Sequence, residues 1–251
     1  WSKNLPNTKF QNSYLNFIAS HDGIGMRPTE GILNERSLNN FLKRLKKNGS
    51  KFSYRKVQNK SKKVYEANIT VFDALKKSDT DPNGKFFLER YIAAHAIMIS
   101  FEGVPAIYFN SLFGKSNDEA KYVITGNNRD INRYKWSYEN ITKKLKDKNS
   151  KQSIFYQNLG KLLEIKRKQK AFHPNAKRLN INLGSKLFCF KRTSLDKKQT
   201  IISITNCSSV DQYPKLNKKY SKWKNIINPK INSLNRSFKL KPFETMWLSN
   251  I

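Results

Sequence analysis

The sequence predicts an α/β fold in which part of a parallel barrel is followed by a smaller antiparallel all-β domain. Three observations carry this. Phe17 to Ala19 is a strand-like apolar run that ends in a polar pair, His21 and Asp22, with Gly23 and Gly25 close behind. Gly103 to Phe109 is a short continuous apolar run, the pattern of a parallel strand covered on both faces. From Ala171 onward the chain changes to short β-type runs separated by turn residues.

Taken in order, residues 1–15 are polar with Pro6 and read as a loop or the tail of a helix leading into the Phe17 strand. Parallel barrels present their working side chains where strands end, and glycine lets the next loop turn away, so His21 and Asp22 are site candidates. Those residues alone equally describe a strand closing in an ordinary turn with a solvated Asp. Leu38, Phe41, Leu42 and Leu45 mark a short amphipathic helix over 33–45, and Lys46-Lys47-Asn48-Gly49 favours its end. Residues 50–63 are basic, with Lys51, Arg55, Lys56, Lys60, Lys62 and Lys63, and read as a solvated hairpin or loop. Tyr65 to Leu75 is strand-like with polar interruptions, and Asn68-Ile69-Thr70 spells a glycosylation sequon.

Asp81-Pro82-Asn83-Gly84 then breaks the chain. Residues 86–101 are apolar on nearly every side, which predicts a helix buried on more than one face with His95 as a satisfied core residue. Asn110 to Trp136 reads as a long polar loop at the end of the Gly103 strand, where substrate contacts arise. Ile154 to Lys170 reads as an amphipathic helix with Phe155, Leu159, Leu162 and Leu163 on one face. The β-type runs that follow are 179–182, 186–192, 199–205, 237–241 and 244–249, and the domain boundary falls near residue 171.

Bulk properties bound the function. Lys plus Arg number 49 against 18 Asp plus Glu, a net charge of +31 that raises nucleic-acid or anionic-membrane binding as an alternative. The excess is mostly Lys, spread from end to end beside abundant Asn and Ile, which argues for compositional bias over a dedicated binding face. With 37% hydrophobic residues, a mean hydropathy of −0.73 and no apolar run of about eighteen residues, no transmembrane segment is expected. Cys189 and Cys207 have no metal-ligand spacing and read as reduced thiols, with Cys189 in a core. Three scattered histidines give no metal site. The start at Trp1, where a reading frame begins with Met, leads us to expect a fragment.

Four strings then agree in order: Ser20 to Leu33 (Ser-His-Asp-Gly-Ile-Gly-Met-Arg-Pro-Thr-Glu-Gly-Ile-Leu), Gly103 to Leu112, Asn128 to Arg133 (Asn-Arg-Asp-Ile-Asn-Arg) and Ala171 to Ala176. Together they resemble the sucrose phosphorylase-like branch of the α-amylase superfamily, whose members act on sucrose, glucosylglycerol or glucosylglycerate. The resemblance runs over nearly the whole chain and implies the C-terminal part of a (β/α)8 barrel. About the last two strands would be present in residues 1–170, with an inserted lid segment at about 27–80 over the site, then an all-β domain at 171–251. It implies retaining glucosyl transfer to phosphate, with an Asp nucleophile and a Glu acid/base absent from this chain, and leaves hydrolysis or transglucosylation as the alternative, since water, phosphate and acceptor compete for one intermediate. Asp22 would be the transition-state stabiliser, His21 a neutral donor to sugar hydroxyls, and Arg129 and Arg133 substrate contacts. The other reading of the two arginines is loop-fixing ion pairs with Asp130 and its surroundings. No metal or organic cofactor is implied. The partners implied are an α-glucoside and inorganic phosphate, with the missing barrel half or a dimer partner completing the site. The chain alone is expected to be cytoplasmic, inactive and poorly soluble, because open strand edges aggregate.

Overall fold

The computed structural model describes residues 1–6, 8, 12–57, 62–230 and 238–251. In chain order the strands are β1 (Leu15–Asn16), β2 (Ile24–Gly25), β3 (Lys51–Lys56), β4 (Lys62–Asn68), β5 (Val104–Pro105), β6 (Lys177–Ile181), β7 (Leu187–Thr193), β8 (Thr200–Asn206), β9 (Lys224–Asn225) and β10 (Thr245–Ser249). The helices are α1 (Glu35–Lys47), α2 (Val71–Lys76), α3 (Phe87–Ser100), α4 (Phe109–Leu112), α5 (Glu119–Thr125), α6 (Tyr138–Lys146) and α7 (Lys151–Arg167). The chain gathers into two compact units. One holds residues 1–16, 88–106 and 158–251; the other holds 17–87 and 107–157. This packing division interleaves the sequence, whereas the boundary expected at residue 171 follows chain order.

In the first unit the antiparallel sheet runs in the order β6-β7-β8-β10-β9. Its alternation places Cys189, Ile202, Ile204, Met246 and Leu248 in one cluster with Leu216 and Leu240. Burial drives the Cys189 thiol up to about 12, so it is an inert core group. Phe190, Ile201 and Trp247 are also fully buried, and Trp247 meets Phe172 edge-on at 4.9 Å. Arg192 is buried outright and caps carbonyls: it donates to Ser100 O (2.8 Å), His173 O (2.7 Å) and Ala176 O (3.1 Å). His95 sits as expected in the core of α3, bonded through Nδ1 to Tyr91 O at 2.9 Å. Of the expected 237–241 run, position 237 lies outside the described residues, and Leu240 makes an isolated bridge to Gln212.

The barrel-type part of this unit is reduced to β1 and β5, which pair in parallel, Leu15 with Val104 and Asn16 with Pro105. Both expected strands are therefore shorter, and the first is displaced: Phe17 to Ala19 and residues 106–108 have no strand pairing. A backbone scores as strand only where a neighbour takes its hydrogen bonds, and these two offer each other two rungs. The close approach depends on Gly103, whose φ of +109° would put a Cβ 2.6 Å from Tyr14 O. Leu15 and Val104 are exposed apolar strand residues.

The second unit contains the three-stranded sheet β2-β4-β3. Met26, Leu45, Ala67, Ile69 and Ala74 form its core, flanked by Ile24, Leu38, Leu42, Phe52 and Val64. Here α1, capped by Asn34, covers the sheet with Leu38, Leu42 and Leu45 of the expected stripe, whereas Phe41 is exposed. The basic 50–63 stretch is a hairpin, with Lys60 outside the described residues. The strand expected to reach Leu75 stops at Asn68, because Thr70 turns the chain and caps α2 through Asp73 N. Asn68 is completely buried with its amide engaged, which excludes the sequon from glycosylation in the folded chain. The long loop expected over 110–136 contains α4, α5 and a 3-10 turn over Asn128–Asn132, and α6 follows it. Among the described residues no helix is long and apolar enough to cross a membrane.

Candidate active site

The site is built within the second unit around a tight turn. Ser20 and Gly23 bridge each other through both backbone groups, and Asp22 N bonds Ser20 Oγ at 3.2 Å, which presents the Asp22 side chain at the apex. Only glycine fits the turn's exit: Gly23 has φ of +115°, and a Cβ there would lie 2.2 Å from Ala67 O. Two buried asparagines hold the turn from outside. Asn68 Nδ2 donates to Asp22 O and Asn132 Nδ2 donates to Ser20 O, both at 2.8 Å.

Three cationic or donor groups surround the Asp22 carboxylate. Arg133 Nη2 bonds Oδ1 at 2.5 Å, Arg129 Nε stands 3.5 Å from the same oxygen, and His21 Nε2 is 3.2 Å away. Asp22 is partly buried, whereas His21 is largely exposed. All four residues singled out in the sequence thus meet, and the arginines' ion pairs run to Asp22 and Glu66 and not to the Asp130 side chain. Asp130 instead faces Lys121 at 3.4 Å.

Arg129 is placed differently from a free substrate contact. Its Nε donates to Glu66 Oε2 (3.1 Å), and its Nη2 donates to Glu66 Oε1 (2.7 Å) and Tyr65 Oη (3.1 Å). The fork-on-fork geometry with Glu66, reinforced by Asp22, pushes the guanidinium pKa above its ordinary value. Arg133 is the arginine aimed at Asp22. It is positioned through a buried asparagine, Asn110, which donates to Asn132 O (3.3 Å) and Tyr134 O (3.0 Å) and accepts from Trp136 Nε1 (2.8 Å). Tyr108 Oη donates to Asn132 O at 3.0 Å, and burial raises its phenol pKa, with Asp22 adding to the rise.

Glu66, Asn68 and Asn110 are the site residues that sequence reasoning missed. Asn110 follows directly on the Gly103–Phe109 apolar run, inside the Gly103–Leu112 string, so its place at the end of that run was a usable signal. Glu66 had none, because its partner is 63 residues away. Among the described residues no group of three His, Cys, Asp or Glu side chains is placed to hold a metal ion.

No protein-family model matches the chain. A glucosylglycerate phosphorylase of Escherichia coli strain K12 is 30% identical over 248 residues, 99% of this chain and 43% of the relative. A glucosylglycerate phosphorylase of Spirochaeta thermophila is 32% identical over 84% of this chain and 36% of its own length. A sucrose phosphorylase of Streptococcus mutans is 29% identical over 58% of this chain. The chain therefore spans less than half the length of the curated relatives it matches. Among solved structures, sucrose 6F-phosphate phosphorylase from Thermoanaerobacter thermosaccharolyticum matches with a TM-score of 0.62 at 19% identity, over 88% of this chain and 39% of that one. AmyP in complex with maltotriose matches with a TM-score of 0.54 at 17% identity, over 67% of this chain and 36% of that one, a likeness of fold. With glucosylglycerate, sucrose and glucosylglycerol phosphorylases as its homologues, the chain belongs to the sucrose phosphorylase-like branch of the α-amylase superfamily and fits a C-terminal portion of it.

Proposed function

We propose that this chain supplies one side of the active site of a cytoplasmic, glucosyl-transferring phosphorylase, which cleaves an α-glucoside with inorganic phosphate to glucose 1-phosphate. The observation that carries the reading is the fixed carboxylate of Asp22: its backbone is tied by Asn68 and its side chain by Arg133 at 2.5 Å. A carboxylate held this way faces developing positive charge without having to reorganise, which is how a preorganised site stabilises an oxocarbenium-like transition state. His21, exposed beside it, donates to glucosyl hydroxyls, and Arg133 shares Asp22 with the same hydroxyls. Arg129 acts from behind, through Asp22 and Glu66. In this reading residues 1–170 belong to the barrel, with the 27–80 segment as its lid, and 171–251 form the appended β domain.

Retaining transfer needs a nucleophile and an acid/base carboxylate about 5 Å apart. The reading puts both on polypeptide outside this chain. The isolated chain is accordingly inactive, and a completed barrel is active.

The test is to join the chain in frame to the N-terminal portion of the E. coli relative and follow glucose 1-phosphate release from glucosylglycerate, glucosylglycerol and sucrose. Phosphate-dependent release that falls at least about 100-fold in D22N supports the reading. Release unchanged by D22N, or detectable phosphorolysis by the chain alone, overturns it.

A further inference from the structure

Two arginines and two carboxylates make up the core of the site, and their charges sum to zero: Asp22 and Glu66 against Arg129 and Arg133. The balance is unusual for this molecule, which carries a net charge of +31. Without Glu66, two guanidiniums would face a single carboxylate. The position would then be net positive in a strongly basic protein, and such a position concentrates anions.

Glu66 is built to prevent that. Its side chain is 13% exposed, and both of its oxygens are committed to Arg129, at 3.1 and 2.7 Å. Asn68 Nδ2 reaches Oε2 at 3.4 Å while holding the Asp22 carbonyl, so one buried amide sets both carboxylates in register. Tyr65, the residue before Glu66 on β4, takes a further Arg129 N–H at 3.1 Å. The other charged or titratable groups facing the cluster are His21 at 3.2 Å from Asp22 and Tyr108, which interacts with both Asp22 and Arg133. The nearby Lys121 and Asp130 pair with each other.

We propose that Glu66 is a specificity-determining residue: it neutralises Arg129 and so keeps anions out of the place beside Asp22 where an uncharged sugar ring must sit. The proposal rests on the phosphorylase reading for its meaning. A phosphorylase must admit phosphate as attacking group and exclude it from the sugar position, and a carboxylate on Arg129 achieves the second without obstructing the first. Glu66 touches Arg129 and no reacting atom, so it acts by charge and position.

The experiment titrates inorganic phosphate into the chain at pH 8 and low salt, above the ordinary imidazole range, while following the guanidinium resonances of Arg129 and Arg133 by NMR. The unaltered chain is expected to show no saturable response at these two residues. E66Q, nearly isosteric, is expected to gain saturable phosphate binding at least tenfold tighter, and E66Q/R129Q to lose it. Equal binding by the unaltered chain and E66Q, or retention in the double variant, overturns the proposal. A role in folding alone would create no new anion affinity. Should E66Q fail to fold, the unaltered chain still decides: Arg129 clamped by Glu66 gives separate, slowly rotating Nη signals, and one averaged signal overturns the proposal. None of these readouts needs turnover, so their failure leaves the phosphorylase reading standing. Loss of glucose 1-phosphate release by the joined polypeptide, with the phosphate effect intact, removes that reading alone.

Discussion

Acid should destabilise this chain through His95 in a way that one substitution removes. His95 is 1% exposed, bonded to Tyr91 O and stacked on the Tyr91 ring at 4.5 Å. Burial outweighs the hydrogen bond to Tyr91 O and holds its imidazole at about 4, against 6.5 for a free imidazole. Because the folded pKa is depressed, the neutral ring favours folding fully above 6.5. Between 6.5 and 4 the unfolded chain takes up a proton that the folded chain refuses, so stability falls with pH over that window. The difference of about 2.5 units is worth about 3 kcal/mol in full, and about 2 kcal/mol of it is lost by pH 5. Urea unfolding of the chain and of H95Q at pH 7.5 and pH 5 checks this, since glutamine can still donate to Tyr91 O and cannot titrate. The expected result is a fall between the two pH values that is about 2 kcal/mol larger in the unaltered chain. Parallel falls, or a His95 ring that titrates near 6.5 in the folded chain, would refute the reasoning.

Other expectations follow from single contacts. G23A should cost more than about 2 kcal/mol, because a left-handed φ and a 2.2 Å approach to Ala67 O coincide; an unchanged denaturation midpoint counts against the turn geometry. G103A should weaken the chain comparably through Tyr14 O, in the other compact unit, and the two costs should add in the double variant. R192M should destabilise by about 3 kcal/mol, since three carbonyls lose a buried charged donor, and a neutral or stabilising result would mean that relief of guanidinium desolvation outweighs them. In a double-mutant cycle, Asp22 should couple to Arg133 by about 1 kcal/mol and to Arg129 by less, following 2.5 Å against 3.5 Å; the reverse order would overturn the assignment of Arg133 as the direct partner.

What could be read in the sequence follows from how local each signal is. Stripes that bury themselves were legible: Leu38, Leu42 and Leu45 on α1, and the all-round apolar run of α3. Helices with no buried residues were not: α5 presents no apolar stripe, with Val123 and Ile124 pointing their carbons at solvent, and α6 has only a short one, Ile141 and Leu145 half-buried with Tyr138 exposed. Their ends still carried signals, Asp118 and Gly126 for α5 and Ser137 for α6, that an apolar template passes over. Of the two barrel-type strands, the second was legible as an apolar run but not in length, and the first forms on Leu15–Asn16, outside the expected Phe17–Ala19 run, because strand position and extent are decided by the neighbour's hydrogen bonds. His21 and Asp22 were candidates from the end of an expected strand, whereas Arg129, Arg133 and the role of Asp22 came from the family resemblance. That Arg129 belongs to Glu66 depends on β4 lying beside the 128–133 turn, a tertiary fact that no spacing encodes.

The construction around Asp22 explains why two arginines are needed where one would neutralise the charge. In its proposed role the Asp22 carboxylate has to be immobile and still negative to stabilise positive charge at a fixed point, and these demands conflict: each strong cationic partner that immobilises it also cancels it. The chain resolves the conflict by dividing the work. Immobility comes mainly from neutral groups, with Asn68 and Asn132 on the backbone of the turn and glycine at its exit. Orientation of the carboxylate comes from one arm of Arg133. The second guanidinium stands a full ångström farther off than the first, turned onto Glu66. It contributes long-range attraction while its own charge is met elsewhere. A second arginine without Glu66 would leave Asp22 rigid but spent, and Glu66 without the arginine would bury an unpaired carboxylate beside another of the same sign. Each of the four charges is therefore intelligible only with the other three, which is why the expected result of removing Glu66 is a gain of anion binding rather than a simple loss.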